Sequence, residues 1–317
     1  MKNKKNNILL IGDFFLDEFF IGSSNRMSPE APVPVIKHMH SNFSLGGAGN
    51  VLSNLSNLKN NVLPLSILGK DKISKKIINL IKKKGINENY FIIKKSYEGI
   101  LKKRILINNQ HIARIDYENI NDEIINKCSK LIIKKIEKLI KQCAILIISD
   151  YGKKSLNSEV IKKSIKLAKK YKVSSIVDPR KMYKDYSIYS GCDFITPNLN
   201  ELRNLFPNVK NQDKDIMKAC KKLKKKYFFK NIIITRGEKG VTYFSKSYVK
   251  HYYSNVKSVF DVSGAGDTVV AVLATCINLN IDVLEAVKFA NLSAGHVVTL
   301  KGTQPITYKK FKETLEL

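Results

Sequence analysis

The chain has 317 residues, 44% of them hydrophobic, which is enough for one large domain, and no run approaches the ~18 apolar residues of a membrane helix. Five scattered cysteines argue against a zinc site or a disulfide framework, and the first apolar run is too short for a signal peptide, so we expect a cytoplasmic protein without a membrane partner. The net charge of +29 is spread over lysine-rich segments with little arginine, so no specific nucleic-acid partner is expected; a basic nucleic-acid-binding protein is the remote alternative.

The first apolar run, residues 8–11, predicts a buried strand that ends at Gly12 and Asp13. Strand carboxyl ends carry ligand groups in doubly wound sheets, so Asp13 is a candidate for binding substrate hydroxyls. Three prolines within residues 29–34 then enforce an extended path. Because proline suits edge strands, Pro34 predicts an edge strand that would belong to a small lid.

A glycine pair, Gly46 and Gly47, precedes a predicted helix that runs to residue 58. Glycines at a helix start allow a ligand to approach the backbone closely. Asn50, just beyond them, offers both a donor and an acceptor to a sugar hydroxyl. These residues are therefore candidates for sugar binding.

A hairpin is predicted around Asn108 and Asn109, between two short apolar strands. Together with the proline-rich segment it would form a small second sheet. The lid strands are expected within two segments, about residues 14–44 and 97–117. Arg104 and Arg114 lie on this hairpin, and the scarcity of arginine makes them candidates for binding a phosphate; an exposed strand face is an equal alternative.

From residue 122 onward, strands and helices alternate at lengths typical of a mostly parallel sheet with helices on both faces. The predicted strands after the first are residues 62–68, 144–148, 173–177, 194–195 and 232–234, with 241–244 and 248–252 as an antiparallel pair. The predicted helices are residues 73–84, 123–141 and 158–171, and two helices, 265–278 and 283–299, close the chain. Polar residues follow several of the strands, which is where the ligand crevice of such a sheet opens.

The most informative stretch is DVSGAGDT at residues 261–268, which leads into an apolar helix. Small residues let backbone N–H groups crowd at a helix N-terminus, where the dipole favours an anion. An aspartate at such a site indicates phosphoryl transfer, with Asp267 as the base. The residues that would stabilise the phosphate charge are Gly264, Ala265 and Gly266. The alternative is a glycine-rich loop in which Asp267 is an ordinary N-cap.

Four motifs in this order resemble the ribokinase-like (PfkB) family of carbohydrate kinases. They are Gly46-Gly47 with Asn50, Asn198-x-x-Glu201, Thr235-x-Gly237-x-x-Gly240, and Asp261 to Asp267. Further motifs are most similar to the family members that act on heptose 7-phosphate: GDFFLD at residues 12–17, SPEAPVPV at 28–35, SDYGK at 149–153 and TPNLNE at 196–201. The resemblance covers nearly the whole chain and implies one ribokinase-like kinase domain over residues 1–317, an α/β fold with a mostly parallel sheet and a small β lid.

The resemblance implies ATP-dependent phosphorylation of D-glycero-D-manno-heptose 7-phosphate at its anomeric hydroxyl, giving the 1,7-bisphosphate for lipopolysaccharide core synthesis. Another sugar or sugar phosphate, such as fructose 1-phosphate, is the alternative acceptor. The residues implied for ATP are Asn198, Leu199, Asn200, Glu201, Thr235, Gly237, Gly240 and Asn291. Those implied for the sugar are Asp13, Gly46, Gly47 and Asn50. The substrate's own phosphate needs a cation, and by charge and predicted position the candidates are Arg104, Arg114 and Lys153.

Glu201 is implied to hold Mg²⁺ through water, because Mg²⁺ keeps much of its hydration. Asp261 is implied in a monovalent-cation (K⁺) site, the alternative being a cap for the turn. Residues 178–181 read DPRK where related sequences usually have DPKG, so either Arg180 or Lys181 could inherit the role of that lysine. Many relatives carry a C-terminal nucleotidyltransferase domain, which this chain is expected to lack. That expectation implies a separate adenylyltransferase, and a homodimer paired through the lid strands is also expected.

Overall fold

The computed structural model describes residues 6–108, 110–119, 122–153, 155–180, 183–254, 256 and 258–316. The strands are β1 (Asn7–Gly12), β2 (Phe14–Ser23), β3 (Lys37–Gly47), β4 (Asn61–Leu65), β5 (Ile67–Leu68), β6 (Ile92–Ile93), β7 (Ile100–Ile107), β8 (Gln110–Tyr117), β9 (Cys143–Ser149), β10 (Ser174–Asp178), β11 (Phe194–Ile195), β12 (Asn231–Thr235), β13 (Val241–Phe244) and β14 (Val249–Tyr252). The helices are α1 (Ala48–Asn57), α2 (Lys72–Lys82), α3 (Asp122–Leu139), α4 (Ser158–Tyr171), α5 (Leu199–Leu205), α6 (Asp213–Tyr227), α7 (Ala265–Asn278), α8 (Val283–Val297) and α9 (Tyr308–Leu315).

The central sheet has the strand order β14-β13-β12-β11-β10-β9-β1-β4 in the described part of the chain. The strands from β12 to β4 all run parallel, while β13 and β14 are antiparallel at one edge. Helices cover both faces, because the central strands are apolar on both sides. In β9, Leu146 and Ile148 pack with α3, α4 and α6, whereas Ile145 and Ile147 pack with α1, α7 and α8. This architecture confirms the α/β expectation and places the carboxyl ends of six strands along one edge.

A second sheet of four strands, in the order β3-β2-β7-β8, forms the lid. β2, β7 and β8 fall within the two segments expected from the sequence, whereas β3 continues beyond the first segment to Gly47. β2 pairs antiparallel with β3 and parallel with β7, and β7 pairs antiparallel with β8. β2 follows β1 after a single residue, Asp13, so the lid begins directly at the carboxyl edge of the central sheet.

The proline-rich segment was predicted as an edge strand, and this prediction is wrong. Residues 24–36 form turns and bends, in which Pro34 makes an isolated bridge with Met27. Prolines donate no N–H group, so three of them within residues 29–34 leave too few donors for a regular ladder. The segment instead connects β2 to β3.

Two further predictions need correction. The predicted strand over residues 62–68 is divided between β4, in the central sheet, and β5, which pairs with β6 in a separate two-stranded sheet. A third helix, α9, follows the two that were predicted to close the chain. Thr307 caps it by accepting from the Lys310 N–H group, and Phe311 anchors it in the core on the α7 and α8 side. Within the described ranges, no helix is long and apolar enough to cross a membrane.

Candidate active site

A cavity of about 790 Å³ lies at the carboxyl edge of the central sheet, between the ends of the strands and the first turn of α7. All the residues predicted to bind the nucleotide or the transferred phosphate line it. They are Asn198, Leu199, Asn200, Glu201, Thr235, Gly237, Gly240, Gly264, Ala265, Gly266, Asp267 and Asn291. Motifs that lie far apart in the sequence thus meet in one space.

The first turn of α7 depends on glycine at position 264. Gly264 has φ of 86°, and a Cβ there would lie 2.7 Å from Asn50 Nδ2 and 2.8 Å from the Thr303 methyl group. Gly266 is different, because a Cβ at that position would have no heavy atom within 4 Å. The first N–H groups of a helix lack intrahelical partners, so this turn offers donors to an anion in the cavity.

Asp267 is buried, with 5% of its surface exposed, in the first turn of α7. Its Oδ2 accepts a hydrogen bond from Asn50 Nδ2 at 2.7 Å, and its Oδ1 accepts one from the Tyr151 hydroxyl at 2.6 Å. Asn50 was predicted to bind sugar; the structure places its amide on the carboxylate of Asp267. Two donors from separate elements therefore fix the orientation of this side chain.

Asp13 is buried directly after β1, and its carboxylate holds the loop that follows β9. Oδ2 accepts from the N–H groups of Tyr151 at 2.9 Å and Lys153 at 3.0 Å, and Oδ1 accepts from the Ser155 N–H group at 2.8 Å. Its predicted role toward sugar hydroxyls stays a prediction. What the structure adds is that Asp13 shapes the loop that carries Tyr151.

Tyr151 is a residue of the site that the sequence analysis missed. Its ring packs edge-on against Phe15 of β2, with ring centroids 5.6 Å apart, and it lines the cavity. Burial and the nearby charge of Asp267 raise the pKa of this phenol well above its ordinary value. The SDYGK motif was visible in the sequence, but nothing in it indicated that the tyrosine would contact Asp267, 116 residues away.

Asp150, which also lines the cavity, is held by Tyr189 and Gly152. The Tyr189 hydroxyl donates to Oδ2 at 2.6 Å, and the Gly152 N–H group donates to Oδ1 at 2.8 Å. Burial, followed by the charge of Asp13, raises the pKa of Asp150 to about 6. Arg180 packs over Gly152, where a Cβ would lie 2.2 Å from Arg180 Nε. The φ of Gly152 is 71°, which also favours glycine.

Arg180 is thus placed near the loop after β9, close enough to Asp150 for its charge to favour the ionised carboxylate. Its guanidinium group also stacks on the Tyr183 ring at 4.8 Å. Lys181, the other candidate for the role of the usual lysine, lies outside the described residues.

Asn198 and Glu201 form a capping box at the start of α5. Asn198 Oδ1 accepts from the Glu201 N–H group at 2.9 Å, and Glu201 Oε2 accepts from the Asn198 N–H group at 2.8 Å. Asn198 Nδ2 also donates to Glu201 Oε1 at 2.6 Å. Asn198 makes an isolated parallel bridge with Thr235, so the cap is joined to the end of β12.

The turn after β12 is anchored by Arg236, a second residue that the sequence analysis missed. Its buried guanidinium group donates to Asp213 Oδ1 at 2.6 Å and to Asn211 Oδ1 at 2.8 Å. Gly240, at φ of 73°, closes the turn where a Cβ would overlap the Tyr252 carbonyl group. The contacts of Arg236 and Gly240 therefore fix the conformation of the turn that is predicted to bind the nucleotide.

Asn291 lies on α8 at the far side of the cavity. Its Nδ2 donates to the Tyr253 carbonyl oxygen at 3.2 Å, which ties α8 to the segment after β14. Its predicted place near the nucleotide base fits its position among the lining residues and stays a prediction.

The cations predicted to bind the substrate's phosphate lie on or beside the lid, outside the lining of the cavity. Each contacts a carboxylate: Arg104 contacts Asp17, Arg114 contacts Asp116, and Lys153 contacts Glu118. Arg104 and Arg114 are direct partners across β7 and β8, so they occupy the same face of the lid. The structure brings together the two predicted arginines without showing what they bind.

Lys102 is a further cation of this face that the sequence analysis missed. It is paired in register with Asp17 of β2, and its Nζ lies 4.0 Å from the centroid of the Phe15 ring. Burial, followed by the charge of Lys153, lowers the pKa of Lys102. Phe15 packs against Tyr151, and Tyr151 donates to Asp267. Lys102 is therefore connected to the Asp267 site through these two aromatic side chains.

Gly46 and Gly47 allow β3 to pass close to β2. A Cβ at Gly46 would overlap the Phe15 ring and the Asp17 carboxylate, and Gly47, at φ of 60°, lies against the Asp13 carbonyl group. Glycine at these two positions is explained by packing of the lid. Approach of a sugar to this backbone stays a prediction.

Among the described residues, no group of three or more histidine, cysteine, aspartate or glutamate side chains could hold a metal ion. The predicted role of Glu201 toward Mg²⁺ stays a prediction. Asp261 accepts from the Ser263 N–H group at 2.8 Å and so caps the turn before α7. Its predicted place in a monovalent-cation site stays a prediction.

Residues 7–310 match the model of the pfkB family of carbohydrate kinases. The chain belongs to this family. Curated relatives include two proteins named bifunctional protein HldE, from Aliarcobacter butzleri (37% identical over 99% of this chain) and Campylobacter fetus (35% identical over 94%). The chain spans 65% and 64% of their lengths, just under two thirds.

Solved structures share the fold. Arabidopsis thaliana ribokinase complexed with ribose and ATP superposes with a TM-score of 0.76 at 18% identity, over 98% of this chain and 99% of that one. Escherichia coli phosphofructokinase-2 with fructose-6-phosphate gives 0.79 at 16% identity, over 98% and 97%. A structure of the same enzyme with potassium gives 0.75 at 16%, with the same coverage. These likenesses confirm the ribokinase-like fold, and the family membership makes the chain a sugar kinase.

Proposed function

We propose that this kinase transfers the γ-phosphoryl group of ATP to the anomeric hydroxyl of D-glycero-D-manno-heptose 7-phosphate and produces the 1,7-bisphosphate. The observation that carries the reaction type is a buried carboxylate, Asp267, in the first turn of a helix that faces a cavity at the carboxyl edge of the sheet. The acceptor is supported by the motifs shared with heptose phosphate kinases and by 34–37% identity to the HldE proteins.

Asp267 removes the proton from the anomeric hydroxyl as its oxygen attacks the γ-phosphorus of ATP. The bond between that phosphorus and the β–γ bridging oxygen breaks, and ADP leaves with the electron pair. Backbone N–H groups at the start of α7, from Gly264 to Gly266, stabilise the charge that spreads over the transferred group. Asn50 keeps the base in place by donating to the oxygen Oδ2.

ATP occupies the part of the cavity bounded by the start of α5, the turn after β12, and α8. The rigid turn from Thr235 to Gly240 follows the phosphates, and Asn291 lies near the base. Glu201, which lines this part of the cavity, would hold Mg²⁺ through water, because the ion keeps much of its hydration. When bound, the ion neutralises phosphate charge. We also propose that Asp261 belongs to a K⁺ site.

The lid binds the phosphate that the acceptor already carries. Arg104, Arg114 and Lys153 were predicted for this role. Lys102 joins them because its Nζ lies 4.0 Å from the centroid of the Phe15 ring, which packs against Tyr151. The arginines present planar donors that suit phosphate, provided that their carboxylate partners give way. Alanine at Arg104 or Arg114 is therefore expected to raise KM for the sugar phosphate.

The mechanism is tested by Asp267→Asn. Asparagine is nearly the same size and cannot accept the proton, so the variant should fold and bind ATP while kcat falls by about 10²-fold or more. Asp282→Asn is a matched control, because this exposed N-cap of α8 lies outside the cavity lining, and it should keep most of its turnover. Calorimetric titration with ATP separates lost binding from lost chemistry. Comparable turnover of Asp267→Asn and the wild type would refute the role of the base.

A further inference from the structure

The hydroxyl group of Tyr151 lies against the carboxylate of Asp267. It donates to Oδ1 at 2.6 Å, while Asn50 Nδ2 donates to Oδ2 at 2.7 Å. A carboxylate with one donor on each oxygen cannot rotate without breaking a hydrogen bond. We propose that Tyr151 is a positioning residue that fixes the plane of this carboxylate and stabilises its ionised form. The inference rests on the proposed role of Asp267 as the base.

Tyr151 is itself held from two directions. Its backbone N–H group donates to Asp13 Oδ2 at 2.9 Å, which fixes the main chain to the end of β1. Its ring packs edge-on against Phe15 in the lid, with centroids 5.6 Å apart. A side chain constrained at both its backbone and its ring can set the orientation of a partner, because its own freedom is already lost.

The hydroxyl remains a donor throughout the working pH range. Burial and the charge of Asp267 raise the pKa of Tyr151, so the phenol keeps its proton. Each carboxylate oxygen has two acceptor sites, and the hydrogen bonds from Tyr151 and Asn50 occupy one on each. Tyr151 and Asp267 line the same cavity, so the hydroxyl contacts the base within the site itself.

This arrangement fixes the sign of a pH effect. A hydrogen bond to the ionised carboxylate lowers its pKa. The base must be ionised to act, so kcat/KM falls as the pH decreases through that pKa. Removal of the Tyr151 hydroxyl should therefore move the acid limb, the decline of kcat/KM at low pH, to higher pH. A residue that only supports packing would change activity without moving this limb.

The first test is Tyr151→Phe, which keeps the ring against Phe15 and removes only the hydroxyl. We expect kcat to fall about 10- to 100-fold, the acid limb of kcat/KM to move up by about one pH unit, and KM for ATP to stay unchanged. Tyr243→Phe is the matched control, because that buried tyrosine donates to Asn231 Oδ1 at 2.7 Å, away from the cavity. Its pH profile should coincide with that of the wild type.

A second variant retains the hydroxyl and changes its strength. 3-Fluorotyrosine incorporated at position 151 has a more acidic phenol, which donates more strongly and should move the acid limb to lower pH. Acid limbs that coincide in all three proteins would overturn the inference. Asp267→Asn separates the two proposals: turnover in that variant refutes the base itself, whereas an inactive Asp267→Asn with an unmoved limb in Tyr151→Phe refutes only the role of Tyr151.

Discussion

Lys102 and Lys103 are adjacent in β7, yet they face opposite sides of the lid. Lys102 lies over Phe15, on the side that leads to Tyr151, whereas Lys103 forms an ion pair of 3.4 Å with Glu18 on the other side. If the first side binds the phosphate of the acceptor, Lys102 contributes its ammonium group to that phosphate and Lys103 does not.

We therefore expect Lys102→Ala to raise KM for the sugar phosphate about tenfold or more, because it removes a charged donor from the phosphate. KM for ATP should not change. Lys103→Ala removes the same charge from the same strand and should leave both constants close to those of the wild type. Steady-state kinetics with each substrate varied in turn make the comparison. Equal effects of the two substitutions would place the phosphate elsewhere.

At the scale of single residues, the sequence placed the GAGD stretch correctly at the start of a helix, and Gly264 to Asp267 line the cavity. Small residues followed by an aspartate are typical of a site for a reacting anion, and the other family motifs favoured Asp267 as the base over an ordinary N-cap. Its catalytic role stays a prediction. The roles of Tyr151 and Lys102 depend on contacts between segments that are distant in the chain. Nothing in their local sequence indicates such contacts, so they became visible only in the structure.

At the scale of elements, two glycines at the start of α7 differ in whether the backbone and its neighbours leave room for a side chain. Gly264 adopts a left-handed conformation with Asn50 in the space of its missing Cβ, whereas Gly266 in the same turn has open space. Alanine at Gly264 would be strained and would push Asn50 away from Asp267.

Gly264→Ala should lower the free energy of unfolding by about 1–3 kcal/mol, because a left-handed residue with a side chain is strained. Gly266→Ala should change it by less than about 0.5 kcal/mol, since the site has room. Urea unfolding of both variants provides the measurement. A loss of stability that is equal in the two would mean that the turn does not require glycine at 264.

Elements with a strong apolar pattern were predicted well, and those defined by pairing were not. The short aliphatic runs of β1 and β9 are typical of buried strands, and both were predicted within one or two residues. Residues 24–36 contain valines, which are typical of strands, but too few N–H donors for a regular ladder of hydrogen bonds. The strand prediction was therefore wrong. The division of residues 62–68 between two sheets depends on where β6 lies, which no local pattern shows.

At the scale of the whole molecule, one buried carboxyl group makes folding depend on pH. The pKa of Asp150 is raised to about 6, above its ordinary 3.8, by burial and by the charge of Asp13. Between these two pH values the folded state binds the proton more tightly than the unfolded state does. The contribution of Asp150 to stability is therefore lost as the pH rises from about 4 to about 6, and this contribution does not change further above that range.

The free energy of unfolding of the wild type should thus fall by about 3 kcal/mol, relative to Asp150→Asn, as the pH rises from about 4 to about 6.5. The asparagine has no proton to lose, so its curve lacks this component. Urea unfolding of both proteins across the range isolates the titration of Asp150 together with its coupling to Asp13. A difference that does not vary with pH would show that Asp150 ionises normally in the folded protein.

The central claim is tested most directly by coupled measurement of ADP release with Mg-ATP and a panel of acceptors. The panel contains D-glycero-D-manno-heptose 7-phosphate, fructose 1-phosphate, fructose 6-phosphate and ribose, and Asp267→Asn serves as the blank. We predict turnover with the heptose phosphate alone, and a product that carries its new phosphate on the anomeric carbon. Turnover with another sugar would contradict the proposed acceptor and retain the kinase. No turnover with any of the four, with ATP binding intact, would contradict the proposed activity and favour a scaffold that has lost it.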